Sequence, residues 1–458
     1  MVKKVFCVLS IAIFTNVIAV AEPTIKVDER FELTSIAFRL AGAREFTYEY
    51  LEGYNQKINS YFKPYQSHKL IDFIKQIRER NGIGFDAVSN ITSYLVIDNG
   101  KIIFHKNANL NKLFIEDTRW NRDVAEKFVF LLNAFYRDTK FNRFYRSNLS
   151  LYGYIEASMI KTMCEIKVSW FESFFGEKLQ NANVIVSLVN GASNYSATLP
   201  LNDGSEVINV IVGCTSTEEP MFDDSHKNVI IHEFCHHFVN PVVDEYLDQL
   251  LPYAQKVYPY VKNMLNKWAY TSDTTMLYEN FVRLSTHLYK NLEVDDYDMV
   301  SDEFKGFVWM RNQKKYYNSQ SFWVQNYFKD FMPQMVSYWE FMSGNIEKEI
   351  NEFQMRHPRI VSIYPANNSI VDSKTDEIVV TFSHPMRKEV SSVRSNPQDT
   401  TLLFPNTMGR HWRDDFTFVI PVKLDKGKSY GILLTDDFFE SSLFYKLQES
   451  YYLKFSTK

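Results

Sequence analysis

Cysteine is scarce in this chain: 4 residues in 458. Cys7 lies in the first few residues, and Cys164, Cys214 and Cys235 are scattered. That excludes a disulfide framework and a cysteine-based zinc site, leaving room for one disulfide at most. No basic patch and no run of Lys or Arg interleaved with aromatics stands out, so nucleic acid is not an expected partner. Beyond the N-terminal residues there is no long apolar run, so no transmembrane segment is expected in the mature protein. Internal repeats and low-complexity tracts are also lacking.

The N-terminus itself carries a pattern. Lys3 and Lys4 form a basic segment, Val5 to Val20 is mostly apolar, and Ala19-Val20-Ala21 is an A-x-A box. This reads as a secretory signal over 1–21, with the mature chain starting near Glu22. A membrane anchor fits less well, because the apolar run is short, holds Thr15-Asn16 and ends in small residues. Cys7 sits too early, among the wrong neighbours, for a lipoprotein site. The expected location is exported: periplasmic, cell-surface or secreted. Loss of Lys3 and Lys4 takes the formal net charge from −4 to −6. Aromatics make up 16% of the residues, which points to a well-filled core rather than to sugar-stacking platforms. The length allows two or three domains.

Histidine is also rare, at 10 residues, yet three are crowded into His232-Glu233-Phe234-Cys235-His236-His237. At this composition an H-E-x-x-H arises by chance in about one such chain in a hundred. Helical residues four apart lie one turn above each other, with Cβ atoms about 5–6 Å apart. Two imidazoles so placed can close on one zinc ion at about 2.0–2.1 Å each. Glu233 then sits beside the metal, where it can take a proton from a bound water. Glu206 to Val212 reads as a strand. Asp223, Asp224 and Ser225 are N-cap candidates, and Val229-Ile230-Ile231 opens the apolar helical run. Ile230, Phe234 and Phe238 recur every four residues and face the core. Pro241 is expected to end the helix, with Asn240 pushed out of helical geometry. The plainer alternative, a core helix with two hydrogen-bonded histidines, leaves the placement of Glu233 without a purpose.

Helical spacing also covers Arg30–Arg78, Val124–Arg137, Ile155–Phe175, Met276–Leu292, Phe304–Tyr317 and Asp330–Ile346. Asn183 to Val189 reads as a strand running into the loop 190–196. Near His357-Pro358 the character changes. Short strand-like runs follow at 360–364, 377–382, 416–420, 430–434 and 451–455, with turn residues between them. That spacing predicts a β-sandwich. The fold class is α+β: a helix-rich zincin-like domain of gluzincin type with a small sheet over 22–357, and an all-β Ig-like sandwich over 358–458. A chain ending near Pro358 is expected to fold and to keep its metal.

A catalytic zinc site commonly has three protein ligands and an open position. The long metzincin pattern needs Gly at 239 and His at 242; this chain has Val239 and Val242. A downstream carboxylate must serve, from Asp244, Glu245, Asp273 and Glu279. Asp244 and Glu245 follow Pro241, where the chain is expected to turn away. Glu279 is favoured, because it lies on a second helix opposite the stripe of Leu277, Phe281, Leu284 and Leu288. Arg283, one turn on, could hold it in place. The bland reading of that pair is an exposed Glu–Arg contact, worth little.

Several blocks together resemble the bacterial exported proteins catalogued as domain of unknown function 4932. They are Arg30-Phe31-Glu32-Leu33 with Phe38 to Gly42, Trp170 to Gly176, His232 to Pro241, Glu279 to Arg283, Lys305 to Trp309, and Phe331-Met332-Pro333. The resemblance spans Glu22 to about Gly344. It implies a zinc-peptidase-like protein with His232, His236 and Glu279 as zinc ligands and Glu233 as base. The family's loop before the motif is usually glycine-rich around an Asn-Tyr pair. Here Asn194-Tyr195 is flanked by Ala192-Ser193 and Ser196, and added Cβ atoms could narrow an approach to substrate. Tyr195 is the candidate to donate a hydrogen bond to a developing oxyanion. The segments Pro365 to Asp372 and Val379 to Met386 resemble bacterial Ig-like domains, which serve as spacers or adhesive arms.

The expected function is an exported zinc metallohydrolase, a peptidase with a peptide or protein substrate. The Asn183–Val189 strand would hold an extended peptide along its edge. The rival is a surface protein that keeps the zinc-binding fold without turnover and binds a glycan or a protein partner. Retention of Glu233 favours the enzyme.

Overall fold

The structure is a computed structural model describing residues 23–216, 222–291, 297–321, 327–395 and 399–458. The expected signal over 1–21, and Leu292 at the end of one expected helix, lie outside the described residues. The fold is mixed α+β and helix-rich, with sheets in both halves and most strands toward the C-terminus. No helix among the described residues is long and apolar enough to cross a membrane. The chain divides into two compact units after Phe238.

In the first unit, four strands form one sheet: β1 (Thr24–Lys26), β2 (Ala182–Ser187), β3 (Tyr195–Pro200) and β4 (Glu206–Gly213). Their order is β1-β2-β4-β3. β1, β2 and β4 run parallel, and β3 pairs antiparallel with β4. β2 is therefore an interior strand. The expectation that its edge receives a peptide is corrected, because both of its backbone edges are taken up by β1 and β4.

Helix α1 (Glu29–Leu40) is capped by Asp28, whose carboxylate accepts from Arg30 N at 2.9 Å. Phe31 on α1 packs against Ile185 and Ile211 of the sheet. One residue on, Glu32 is fully buried. It accepts from Leu188 N at 2.9 Å, at the end of β2, and from the Tyr54 hydroxyl at 2.7 Å. Tyr152 extends this chain, its hydroxyl 2.8 Å from that of Tyr54. Burial pushes the Glu32 carboxyl up to about 7, against the pull of its two donors. The expected single helix over Ile155–Phe175 is two, Leu149–Met163 and α2 (Ser169–Phe175).

In the second unit, α4 (Asp273–Tyr289) is capped by Ser272, which accepts from Thr275 N at 3.0 Å. The expected helix over Phe304–Tyr317 is broken into α5 (Tyr297–Lys305) and α6 (Met310–Ser321). Gly306, at φ +125°, lies in the break, where an added Cβ would fall 2.9 Å from the Leu265 side chain. Trp309 and Trp339 are fully buried with ring centroids 5.4 Å apart.

From Ile360 onward the described residues are strands, turns and loops, with one short 3-10 helix at Asp436–Phe438. One sheet runs Val393–Arg394, Ser429–Leu434, Tyr451–Thr457, Ser369–Val371. The other runs Asn406–Thr407, Thr417–Lys423, Glu377–Phe382, Ile360–Tyr364. Both contribute to one core that includes Val380, Phe418, Ile432 and Leu453. A buried polar contact ties this region to α5. The Tyr445 hydroxyl donates to Glu303, which is wholly buried. Arg311 donates to Tyr445 at 2.9 Å, and Arg356 reaches Glu303 at 3.1 Å.

Candidate metal centre

The histidine motif lies on α3 (Asp224–Glu245). Asp223 starts this helix, accepting from Ser225 N at 3.0 Å and His226 N at 3.4 Å. Ile230 and Phe234 are fully buried and Phe238 nearly so. Phe171 on α2 meets both phenylalanines, at centroid distances of 5.8 and 5.7 Å, and Phe175 stacks on Phe238 at 4.6 Å. This aromatic face fixes the rotation of α3 about its axis. His232 and His236 then lie off that face, half-buried, with ring centroids 5.0 Å apart and planes at 83°. Glu233, beside them, is buried.

The helix does not end at Pro241, as the sequence predicts; it continues to Glu245. A proline inside a helix removes one backbone donor and crowds the preceding turn. Here Phe238, Val239 and Val243 on both sides are buried, so packing outweighs that loss. Asp244 and Glu245 accordingly stand exposed at the helix end. Asp244 accepts from the Tyr278 hydroxyl. Asp273 is engaged at the start of α4, accepting from Thr274 N at 2.8 Å.

Among the described residues, His232, His236 and Glu279 bring one ligand atom each to within 4.8 Å of one another. Two imidazoles and a carboxylate form the donor set of many catalytic zinc sites, which leave one position open. The residues fit the ion. Glu279 is no exposed surface partner: it and Arg283 are both buried, with Arg283 Nη2 donating to Glu279 Oε2 at 3.1 Å. The same nitrogen donates to the Tyr270 hydroxyl at 2.6 Å. Burial, with the Glu279 charge adding to it, pushes the Tyr270 phenol well up. Arg283 Nη1 donates to Asp302 at 2.5 Å. Burial works against ionising Asp302. The charges of Arg283 and Lys305 and a hydrogen bond from His287 nevertheless hold it well below the usual carboxylate range. Sequence reasoning missed Tyr270 and Asp302. Asp302 lies on α5, 19 residues beyond Arg283, and no spacing rule links them.

Tyr195 opens β3, its ring packed on the cluster of Phe31, Ile185, Ala197 and Ile211. Its hydroxyl is buried. Burial pushes this phenol well up, and the Glu233 carboxylate is among the charges that add to the effect. The loop before it is held by Asn194, whose Oδ1 accepts from Gly213 N at 3.0 Å. A Cβ on Gly213 would fall 2.1 Å from Gly191 O, so this crossing needs glycine. His237 is turned elsewhere, with Nδ1 3.8 Å from Glu206 Oε2. Among the described residues, Cys164, Cys214 and Cys235 form no disulfide.

Among curated proteins, none matches this chain. Solved structures give slight likenesses to bacterial surface-layer proteins. The crystal structure of the S-layer protein rSbsC(31-844) aligns at 15% identity and a TM-score of 0.17, covering 50% of this chain and 33% of that one. The N-terminal part of the bacterial S-layer protein SbsC aligns at 11% identity and a TM-score of 0.17, covering 51% of this chain and 58% of that one. This chain therefore spans a third to somewhat over half of the length of those proteins, and superpositions this slight assign neither fold nor function. The family comparison reaches further: residues 23–312, well over half of the chain, match the model described as Domain of unknown function (DUF4932), and the chain belongs to that family.

Proposed function

We propose that this protein is an exported, zinc-dependent metallohydrolase, a peptidase of gluzincin type with a zincin-like catalytic region and an Ig-like C-terminal region. The observation that carries the reading is the meeting of His232, His236 and Glu279 around one point, with Glu233 next to His232 on the same helix. His232, His236 and Glu279 would hold the ion. When bound, zinc lowers the pKa of a water and polarises a carbonyl. Glu233 accepts a proton from the attacking water and returns it to the leaving amine nitrogen, so the water's two parts end on the two products. Tyr195 donates a hydrogen bond from its buried hydroxyl to the oxygen on which charge develops.

The test is Glu233→Gln in the mature chain, assayed by metal analysis and a peptide-library digest. Zinc content and folding stay near wild type while hydrolysis falls by about 10²–10⁴-fold. A wild-type protein that holds zinc yet cleaves nothing in the library would put the surface binding protein in place of the enzyme.

A further inference from the structure

Glu279 does not stand alone on α4. Its Oε2 accepts from Arg283 Nη2, and the other end nitrogen of that guanidinium, Nη1, is held by Asp302 on α5. Asp302 is itself fixed from three directions. Arg283 and Lys305 Nζ donate to Oδ1, the latter at 2.9 Å, and His287 Nε2 lies 2.9 Å from Oδ2. The rings of Tyr270 and Phe307 flank the guanidinium carbon at 5.5 and 5.1 Å, with their own centroids 6.1 Å apart. Asp302, His287, Arg283 and Glu279 are all less than a tenth exposed. A planar guanidinium so enclosed has one orientation left.

We propose that Asp302 is a positioning residue for the metal centre: through Arg283 it commits Glu279 Oε2, so that Glu279 offers a cation one oxygen and not two. The inference rests on the zinc reading above. A carboxylate limited to one oxygen keeps the coordination number low and leaves a position for water. That favours zinc and cobalt over calcium, which takes 6–8 oxygen ligands, often from bidentate carboxylates. The alternative role is purely structural, a buried ion network that holds α5 against α4. α5 supplies a matched control for that role. Glu303, the next residue, is wholly buried, and its partners are Arg311, Arg356 and Tyr445.

The test uses the full mature chain in four forms besides wild type: Asp302→Asn, Arg283→Lys, Tyr270→Phe and Glu303→Gln. Zinc affinity is read by chelator competition, the Co2+ form by visible absorption, and the metal-free protein by thermal unfolding. Asp302→Asn and Arg283→Lys should weaken zinc by about 10–100-fold, as loss of a partner that orients a metal ligand does. Both should also lower the cobalt absorption toward that of five- or six-coordinate ions. Glu303→Gln should lower the unfolding temperature with zinc affinity and cobalt spectrum unchanged. Should Asp302→Asn fail to fold, Arg283→Lys and Tyr270→Phe carry the test. Wild-type zinc affinity in both would overturn the inference while leaving the metal reading in place. Equal losses in Glu303→Gln and Asp302→Asn would also overturn it, because the network would then be structural only. A wild-type chain that binds no zinc would overturn both.

Discussion

Replacing Glu32 by Gln should change how stability depends on pH. Glu32 is sealed under α1, with Leu188 N and the Tyr54 hydroxyl as its donors. Burial raises its carboxyl from the ordinary 4.5 to about 7. In the unfolded chain it ionises near the ordinary value, so between these limits the folded state holds the extra proton. Stability from this source is complete below the unfolded value and is lost as pH rises through the folded one. At about 1.4 kcal/mol per pH unit, the gap is worth about 3 kcal/mol, most of which disappears between pH 5 and pH 8. Gln is an isostere with no charge to bury. Its carbonyl can accept from Leu188 N and its amide can donate to Tyr54, whose hydroxyl then donates to Tyr152. Urea unfolding of wild type and Glu32→Gln at pH 5, 6, 7 and 8 should therefore show the variant gaining on wild type by about 2–3 kcal/mol across the range. A constant difference between the two proteins would refute the argument, because Glu32 would then titrate alike in the folded and unfolded chains.

Glu279→Ala should strip zinc from the purified protein in metal analysis, whereas Glu245→Ala and Asp273→Ala should retain it; equal losses would move the third ligand. Gly213→Ala should destabilise the first unit by about 1–3 kcal/mol in denaturant unfolding, since its Cβ meets the Gly191 carbonyl oxygen. Tyr195→Phe should lower kcat by about 10²–10³-fold with KM little changed, the signature of a donor that acts on developing charge; a change in KM alone would make it a binding contact.

The local features of this protein were readable from its sequence, and the non-local ones were not. The H-E-x-x-H spacing and the Ile230, Phe234, Phe238 stripe depend only on helical periodicity, and both appear on one helix. The proline rule failed at Pro241 because it weighs one lost hydrogen bond and cannot see that Val239 and Val243 are packed on either side. Strand order is set by pairings between residues far apart in the chain. β2 therefore looked available as an edge, although β1 lies some 160 positions earlier and closes one side of it. Glu279 was reachable because Arg283 follows it at a helical interval. Asp302 was not, since it reaches the same guanidinium from another helix. The helix break at Gly306 had a visible signal in the Lys305-Gly306 step, which the longer apolar rhythm concealed.

The buried contact between Tyr445 and Glu303 bears on what happens when the chain is cut. A protease that nicks the backbone near Pro358 severs the covalent link but leaves Tyr445 seated on Glu303 and Arg311. The two fragments should then migrate together under native conditions and separate only in denaturant. Deleting 358–458 outright is a different event. It would leave Arg311 without the Tyr445 oxygen and the carboxylate of Glu303 with one donor fewer, in a place water had not reached. The terminal strands thus behave less like a detachable appendage than like a plug, and the two ways of losing them should have opposite outcomes.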